Sequence, residues 1–279
     1  MQTEELKKVA SQVRRDIVRM VHGAKSGHPG GSLGCADYLV ALYFDAMNHN
    51  KDFSMDGIGE DLFFLSNGHI SPLFYSVLAH SGYFDKSELA SFRKLNGRLQ
   101  GHPTTHEHLP GIRIASGSLG QGLSVGVGAA MSKKLNNDGS LIYVLCGDGE
   151  MQEGQNWEAI MFAAKQKTDN IIVAIDVNGQ QIDGSTKSIM GDYPLDAKFL
   201  AFGWDVYSMD GNNMQEIVDT LKIVKAATGK GKPIAIMMKT EMGMGVDFMM
   251  GSHKWHGIAP NDTDLANALA GLPETLGDY

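Results

Sequence analysis

Three short apolar runs constrain the fold most: LIYVLC (141–146), IIVAID (171–176) and PIAIMM (233–238). Each has strand length and lacks polar alternation, the pattern of a strand buried on both faces. Stretches of helical character near 155–166, 195–201 and 213–228 separate them, and WDVY (204–207) reads as a weaker fourth strand. Apolar strands alternating with helices predict a mostly parallel sheet covered on both faces. Upstream, Leu6, Val9, Val13, Ile17, Met20 and Val21 recur at helical spacing and predict an amphipathic helix over 4–22. Residues 35–46 predict a more buried helix, and LFFL (62–65) predicts a short strand. Residues 71–80 predict a helix with Pro72 in its first turn, and 119–135 a helix in which Gly122, Gly126 and Gly128 permit close packing. After Pro260 only DTDLANALA (262–270) has helical character, so one domain is expected.

Composition narrows the function classes. At 279 residues and 43% apolar content the chain can bury a sizeable core. A formal net charge of -8, without any block of five Lys or Arg, argues against a nucleic-acid partner. An acidic chain also attracts phosphates poorly overall, so phosphate binding requires a local site. No apolar run approaches the roughly 20 residues that span a bilayer, and MQTEELKKVA carries no apolar signal core. Cys35 and Cys146 sit among apolar neighbours, as buried reduced thiols of a cytoplasmic protein do.

The chemistry concentrates where strands end. Strand 141–146 runs into GDGEMQEGQNWEA (147–159), and strand 171–176 into DVNGQQIDG (176–184). Asp148 and Asn178 are 30 positions apart, about one strand–helix–strand unit. In a parallel sheet both lie beyond the carboxyl ends of their strands, where open α/β sheets bind ligands. Mg²⁺ takes about six oxygens, one or two from carboxylates and several from phosphate and water. Asp148 offers a charged oxygen, Asn178 an amide oxygen, and the turn at Asn178-Gly179 can aim the Gln180 carbonyl at the same ion. Gly147 and Gly149 remove side chains where a diphosphate must approach. Two rival phosphate motifs fail. A dinucleotide fingerprint needs a third glycine where Gln152 stands, and AKSG (24–27) lacks the P-loop's upstream glycine, having Arg19 there. A lone GDG is an ordinary strand-end turn; GDG followed one unit later by Asp176-Val177-Asn178-Gly179 is far more specific.

GDG, EGxxWEA and an Asn-Gly turn together resemble the thiamine-diphosphate signature. KSGHPGGSLG (25–34), SNGHISPLFYSVLA (66–79), GHP (101–103), SGSLGQGLSVGVGAA (116–130) and GSHKWHG (251–257) all resemble transketolase, in the family's order and over nearly the whole chain. The resemblance implies a three-layer α/β/α thiamine-diphosphate-binding fold, with residues 1–260 as the diphosphate-binding domain and 261–279 as a C-terminal tail. It implies thiamine diphosphate and Mg²⁺ as cofactors, and transfer of a two-carbon ketol unit from a ketose phosphate to an aldose. Transketolases are normally more than twice this long, so the chain is expected to be the N-terminal subunit of a split enzyme. Its partner would be a C-terminal subunit carrying the pyrimidine-binding domain and an activating glutamate, with self-association of the assembly.

By position in the matching motifs, the resemblance makes Asp148, Asn178 and the Gln180 carbonyl the metal ligands. It places Gly147, Gly149, His69 and His253 at the diphosphate, and Gly117, Ser118 and Leu119 against the cofactor's rings. The family usually has proline where this chain has Ser118. His28, His69, His102 and His253 would surround the reacting carbons, where a pKa near the operating pH suits exchange of protons with sugar oxygens. His106, His108 and His256 lack that motif support, and a zinc site in HPTTHEH (102–108) lacks a nearby cysteine. The resemblance puts Glu153 in the catalytic set at the subunit interface, where it could share protons with the partner's glutamate; Glu158 is left between that place and an ordinary dipole partner at a helix start. The competing readings are a deoxyxylulose-phosphate synthase fragment, the α-subunit of a 2-oxo acid dehydrogenase, and a non-catalytic cofactor-binding relic.

Overall fold

The computed structural model describes residues 1–191 and 194–279. The strands are β1 (Leu62–Leu65), β2 (Ile142–Gly147), β3 (Ile171–Val177), β4 (Gln180–Gln181), β5 (Gly184–Ser185), β6 (Asp205–Asp210) and β7 (Ile234–Lys239). Five of them form one parallel sheet in the order β1-β2-β3-β7-β6, and β4 and β5 make a small antiparallel ribbon. The helices are α1 (Thr3–Ala24), α2 (Pro29–Gly34), α3 (Ala36–Ala41), α4 (Ser71–His80), α5 (Gly122–Leu135), α6 (Gly154–Lys165), α7 (Thr186–Met190), α8 (Leu195–Ala201), α9 (Met214–Ala227) and α10 (Asp262–Gly271).

Side chains on a strand point alternately to the two faces, and here both faces are covered. Tyr143, Leu145, Ile172, Ala174, Ile234 and Ile236 join a core with α1, α3, α4 and α9. Ile142, Val144, Cys146, Ile171, Val173 and Ile175 join a second core with α5, α6 and α8. The three-layer α/β/α arrangement follows from that double burial. Gly126 lets α5 lie directly on β2, since a Cβ there would stand 2.5 Å from Val144.

Three of the expected elements differ in detail, and α2, α7 and the β4–β5 ribbon are additions to the sequence reading. The helix expected over 35–46 is α3 followed by a π-helical turn, Leu42–Ala46, closed by Met47 N–H donating to the Leu42 carbonyl. The helix expected from 119 begins at Gly122, because Gly117 and Gly120 adopt left-handed φ values of 121° and 87° that a helix excludes. The strand expected over 204–207 is β6, which runs to Asp210 as the half-exposed edge of the sheet. Trp204, just before it, is buried and donates its indole N–H to the Ile160 carbonyl at 3.0 Å. The segment after Pro260 packs on α1: Arg15 donates to both carboxylate oxygens of Asp278 at 2.9 and 2.7 Å, and the Arg19 guanidinium lies 4.1 Å from the centre of the Tyr279 ring. Both cysteines are free and buried. Among the described residues no helix is long and apolar enough to cross a membrane.

Candidate functional site

β2 and β3 pair in register up to Gly147 opposite Asp176, so the loops that follow leave the sheet side by side. Asp148 begins one loop and Asn178 the other. Asp148 is buried and accepts hydrogen bonds from Gly149 N–H and Gly179 N–H, both at 2.7 Å. Gly179 makes that approach with φ 71°. Asp176, also buried, accepts from the Asn178 amide at 2.8 Å and from the Thr240 hydroxyl. The amide is thereby fixed with Nδ2 on Asp176, and its Oδ1 accepts from Gln180 N–H at 2.9 Å.

Burial, and then the neighbouring Asp176 charge, push the Asp148 carboxyl up to about 7 against the downward pull of its backbone hydrogen bonds. Burial likewise raises Asp176. Two carboxylates held close in a poorly solvated corner create a demand for positive charge. Among the described residues no group of three or more His, Cys, Asp and Glu could enclose a metal. The donor set of one carboxylate, one amide and one backbone carbonyl suits a hard cation whose shell is completed by phosphate and water.

These groups open on a cavity of about 190 Å³, whose lining includes Asn67, His69, Leu119, Asp148, Asn178 and His256. Gly147, Gly149, Gln180 and Glu153 also border it. A Cβ on Gly149 would press to 3.1 Å from Gln181, whereas one on Gly147 would make only ordinary contacts. Asn67 Oδ1, His28 Nδ1, His256 Nδ1 and Ser116 Oγ are buried without a hydrogen-bond partner. Such orphaned atoms are uncommon in a finished interior and mark places where a ligand can be held.

Histidines gather beside the cavity. His28 precedes Pro29 at the start of α2, and His69 lies on the turn leading into α4. Their rings are 5.3 Å apart, and His102 stands 6.0 Å from His28. Gly117 passes flat across His102, where a Cβ would lie 2.6 Å from the ring. The fourth member of the group is His256, at 5.6 Å from His28 and 4.9 Å from His69. His253, which the sequence reading placed there, is exposed at the start of the same short turn. Three residues per turn put positions three apart above one another in a 3₁₀ helix, so the spacing within HKWH cannot say which histidine turns inward. Burial, then the neighbouring His256, lowers His28 to about 4; burial lowers His69 well below its usual value. Burial and then Arg93 lower His102, and burial lowers His256. Neutral imidazoles each offer one donor and one acceptor.

Ser118 is exposed and Leu119 is half-buried against the cavity. Glu153 and Glu158 are exposed, Glu153 beside Gly120 and Glu158 on α6. Val125 on α5 and Met161 and Phe162 on α6 leave apolar surface open. Sequence reasoning did not single out Asn67, His256 or Glu150, all of which line the cavity. All three stood in quoted motifs, but Glu150 gave no signal of its own because two of its three partners, Ser66 and Gly120, come from distant loops.

The profile of the family "Transketolase, thiamine diphosphate binding domain" matches residues 6–272. An apulose-4-phosphate transketolase subunit from Actinobacillus succinogenes is 37% identical over 272 residues, covering 97% of each chain. The 6-deoxy-6-sulfo-D-fructose transketolase subunit SqwG of a Clostridium species is 37% identical and covers 96% of each. The transketolase of Campylobacter jejuni superposes with a TM-score of 0.88 at 36% identity, covering 96% of this chain and 42% of that one. The chain thus spans nearly the full length of the two relatives named as subunits and about two fifths of the C. jejuni enzyme. With its fold, its cavity and these likenesses together, the chain belongs to the transketolase family, as the thiamine diphosphate-binding domain.

Proposed function

We propose that this chain is the N-terminal subunit of a two-chain transketolase that moves a two-carbon ketol unit from a ketose phosphate to an aldose. The observation that carries the reading is the pairing of Asp148 with the Asn178 turn on one cavity with His69 and Leu119. In this reading Asp148, Asn178 and the Gln180 carbonyl hold Mg²⁺, and Gly147, Gly149 and His69 receive the diphosphate. Gly117, Ser118 and Leu119 face the rings. When bound, thiamine diphosphate supplies the carbon nucleophile that such a transfer needs, while the protein orients it and excludes side reactions.

His28 and His102 carry the work on the sugar. Kept neutral, they donate to or accept from the substrate's oxygens as charge develops. His256 shares that role by position, and His253, exposed at the start of the same turn, is assigned to the diphosphate. The partner subunit brings the pyrimidine-binding domain, and Glu153 lies where its activating glutamate would approach. The exposed apolar residues of α5 and α6 suit such an interface. The two subunit relatives carry names of unusual sugars, apulose-4-phosphate and 6-deoxy-6-sulfo-D-fructose. A substrate outside the common pentose phosphates is therefore as consistent with this chain as one within them.

The test is reconstitution. The purified chain, with saturating thiamine diphosphate and Mg²⁺, is expected to show no ketol transfer, and addition of the C-terminal subunit to restore it. Full activity of this chain alone would overturn the two-chain reading.

A further inference from the structure

Glu150 is 2% exposed, on the 3₁₀ turn between β2 and α6. Its Oε1 accepts from the Ser66 hydroxyl and from Gly120 N–H at 2.8 Å, and its Oε2 accepts from Gly147 N–H at 3.1 Å. Its own carbonyl accepts from the Asn156 amide at 2.8 Å, which anchors the turn to α6. The three donors belong to three separate segments. Ser66 directly precedes Asn67 in the loop that carries His69. Gly120 follows Leu119. Gly147 precedes Asp148.

These segments touch one another where side chains are missing. A Cβ on Gly68 would stand 2.7 Å from Gly117 N, one on Gly120 2.9 Å from the Glu153 Cβ, and one on Gly122 2.7 Å from the Ser66 Cα. Glycine contacts bring backbones together but interlock nothing, and glycine loops lose more freedom on ordering than others. Three hydrogen bonds converging on one buried carboxyl group interlock the backbones that the glycine contacts only bring together. The polar group that fastens all three segments is the Glu150 carboxylate.

We infer that Glu150 is a positioning residue that locks the loops 66–69, 117–121 and 147–150 into the single arrangement presenting His69, Leu119 and Asp148 to one cavity. The inference rests on the proposed cofactor reading for its functional consequence, but the lock itself is a property of the chain alone. Loosening it lets the three loops drift independently, so the cofactor must order them as it binds, and affinity falls while the fold persists.

The full-length chain carrying Glu150→Gln tests this. The amide keeps the side-chain size but turns a donor toward Gly147 or Gly120 N–H. Amide hydrogen exchange without cofactor is expected to quicken about 10-fold or more in all three segments, and by more than in strands β1, β2 and β3, which report any general loss of stability. The dissociation constant for thiamine diphosphate with Mg²⁺ is expected to rise about 10-fold or more. Ser66→Ala, which removes one of the three bonds, should quicken exchange at Gly147 as well as near residue 66. Should Glu150→Gln fail to fold, Ser66→Ala decides by the same criterion. Exchange confined to the mutated segment overturns the lock. A lowered melting temperature with an unchanged cofactor dissociation constant overturns the positioning role. If the wild-type chain does not bind thiamine diphosphate, the cofactor reading fails while the exchange data still decide the lock.

Discussion

Asp148→Asn is expected to make the cofactor-free chain more stable, not less. Burial and Asp176 hold the Asp148 carboxyl at about 7 instead of 3.8. A carboxyl with a raised pKa binds its proton more tightly in the folded state. Its contribution to stability is therefore fully present below about 3.8 and is lost as pH rises through about 7. At 1.36 kcal/mol per unit, the ionised group costs about 4 kcal/mol at pH 8. Asparagine removes that charge but cannot accept from both Gly149 and Gly179, and one unpaired backbone N–H costs about 1–3 kcal/mol. The charge effect wins by about 2 kcal/mol, or a rise in melting temperature of about 4 °C or more. The assay is thermal unfolding from pH 5 to pH 8 with and without thiamine diphosphate and Mg²⁺. By about pH 5, where wild-type Asp148 is protonated in the fold, the charge cost falls to about 1.6 kcal/mol, no more than the lost hydrogen bond costs, and the advantage of the variant should vanish. With cofactor at about 100 times its dissociation constant the wild type gains about 2.7 kcal/mol and the variant much less, reversing the order. A variant less stable than wild type at pH 8, by an amount that does not change with pH, would refute the reasoning.

The histidine cluster and the glycine turn beside it give three more tests. His102→Ala should lower kcat/KM of the reconstituted enzyme by about 10²-fold, measured by steady-state ketol transfer, with cofactor affinity nearly unchanged; loss of cofactor with normal turnover at saturation would contradict its role. His256→Ala should raise the substrate KM or lower kcat more than His253→Ala, while His253→Ala should act mainly on the cofactor dissociation constant; the reverse pattern would return His253 to the place beside the sugar. Gly117→Ala should destabilise the chain by about 1–3 kcal/mol in denaturant unfolding, because φ is 121° and the new Cβ would strike the His102 ring.

Regular elements were readable where their pattern repeats. The strands 142–147, 171–177 and 234–239 stood out because residues on both sides of each strand are apolar. β6 was underread because an edge strand keeps polar residues such as Ser208 and Asp210 facing water. The six-residue helix α2 was invisible in a glycine-rich stretch, where Pro29 gave the only start signal. Asp148 and Asn178 were legible as a pair because one strand–helix–strand unit fixes their spacing. His256 and Glu150 were not, since their inward orientation is set by a single turn in one case and by two distant loops meeting its own in the other.

The order of strands has a bearing on when the site comes into being. β7 lies between β3 and β6, although it is the last of the five in the chain. During synthesis β1, β2 and β3 can pair as they emerge, but β6 has no neighbour until residue 239 has been made. Thr240 follows directly, and its hydroxyl is what holds Asp176, which in turn holds the Asn178 amide. The corner proposed to hold the metal is therefore among the last parts of the sheet to be fixed.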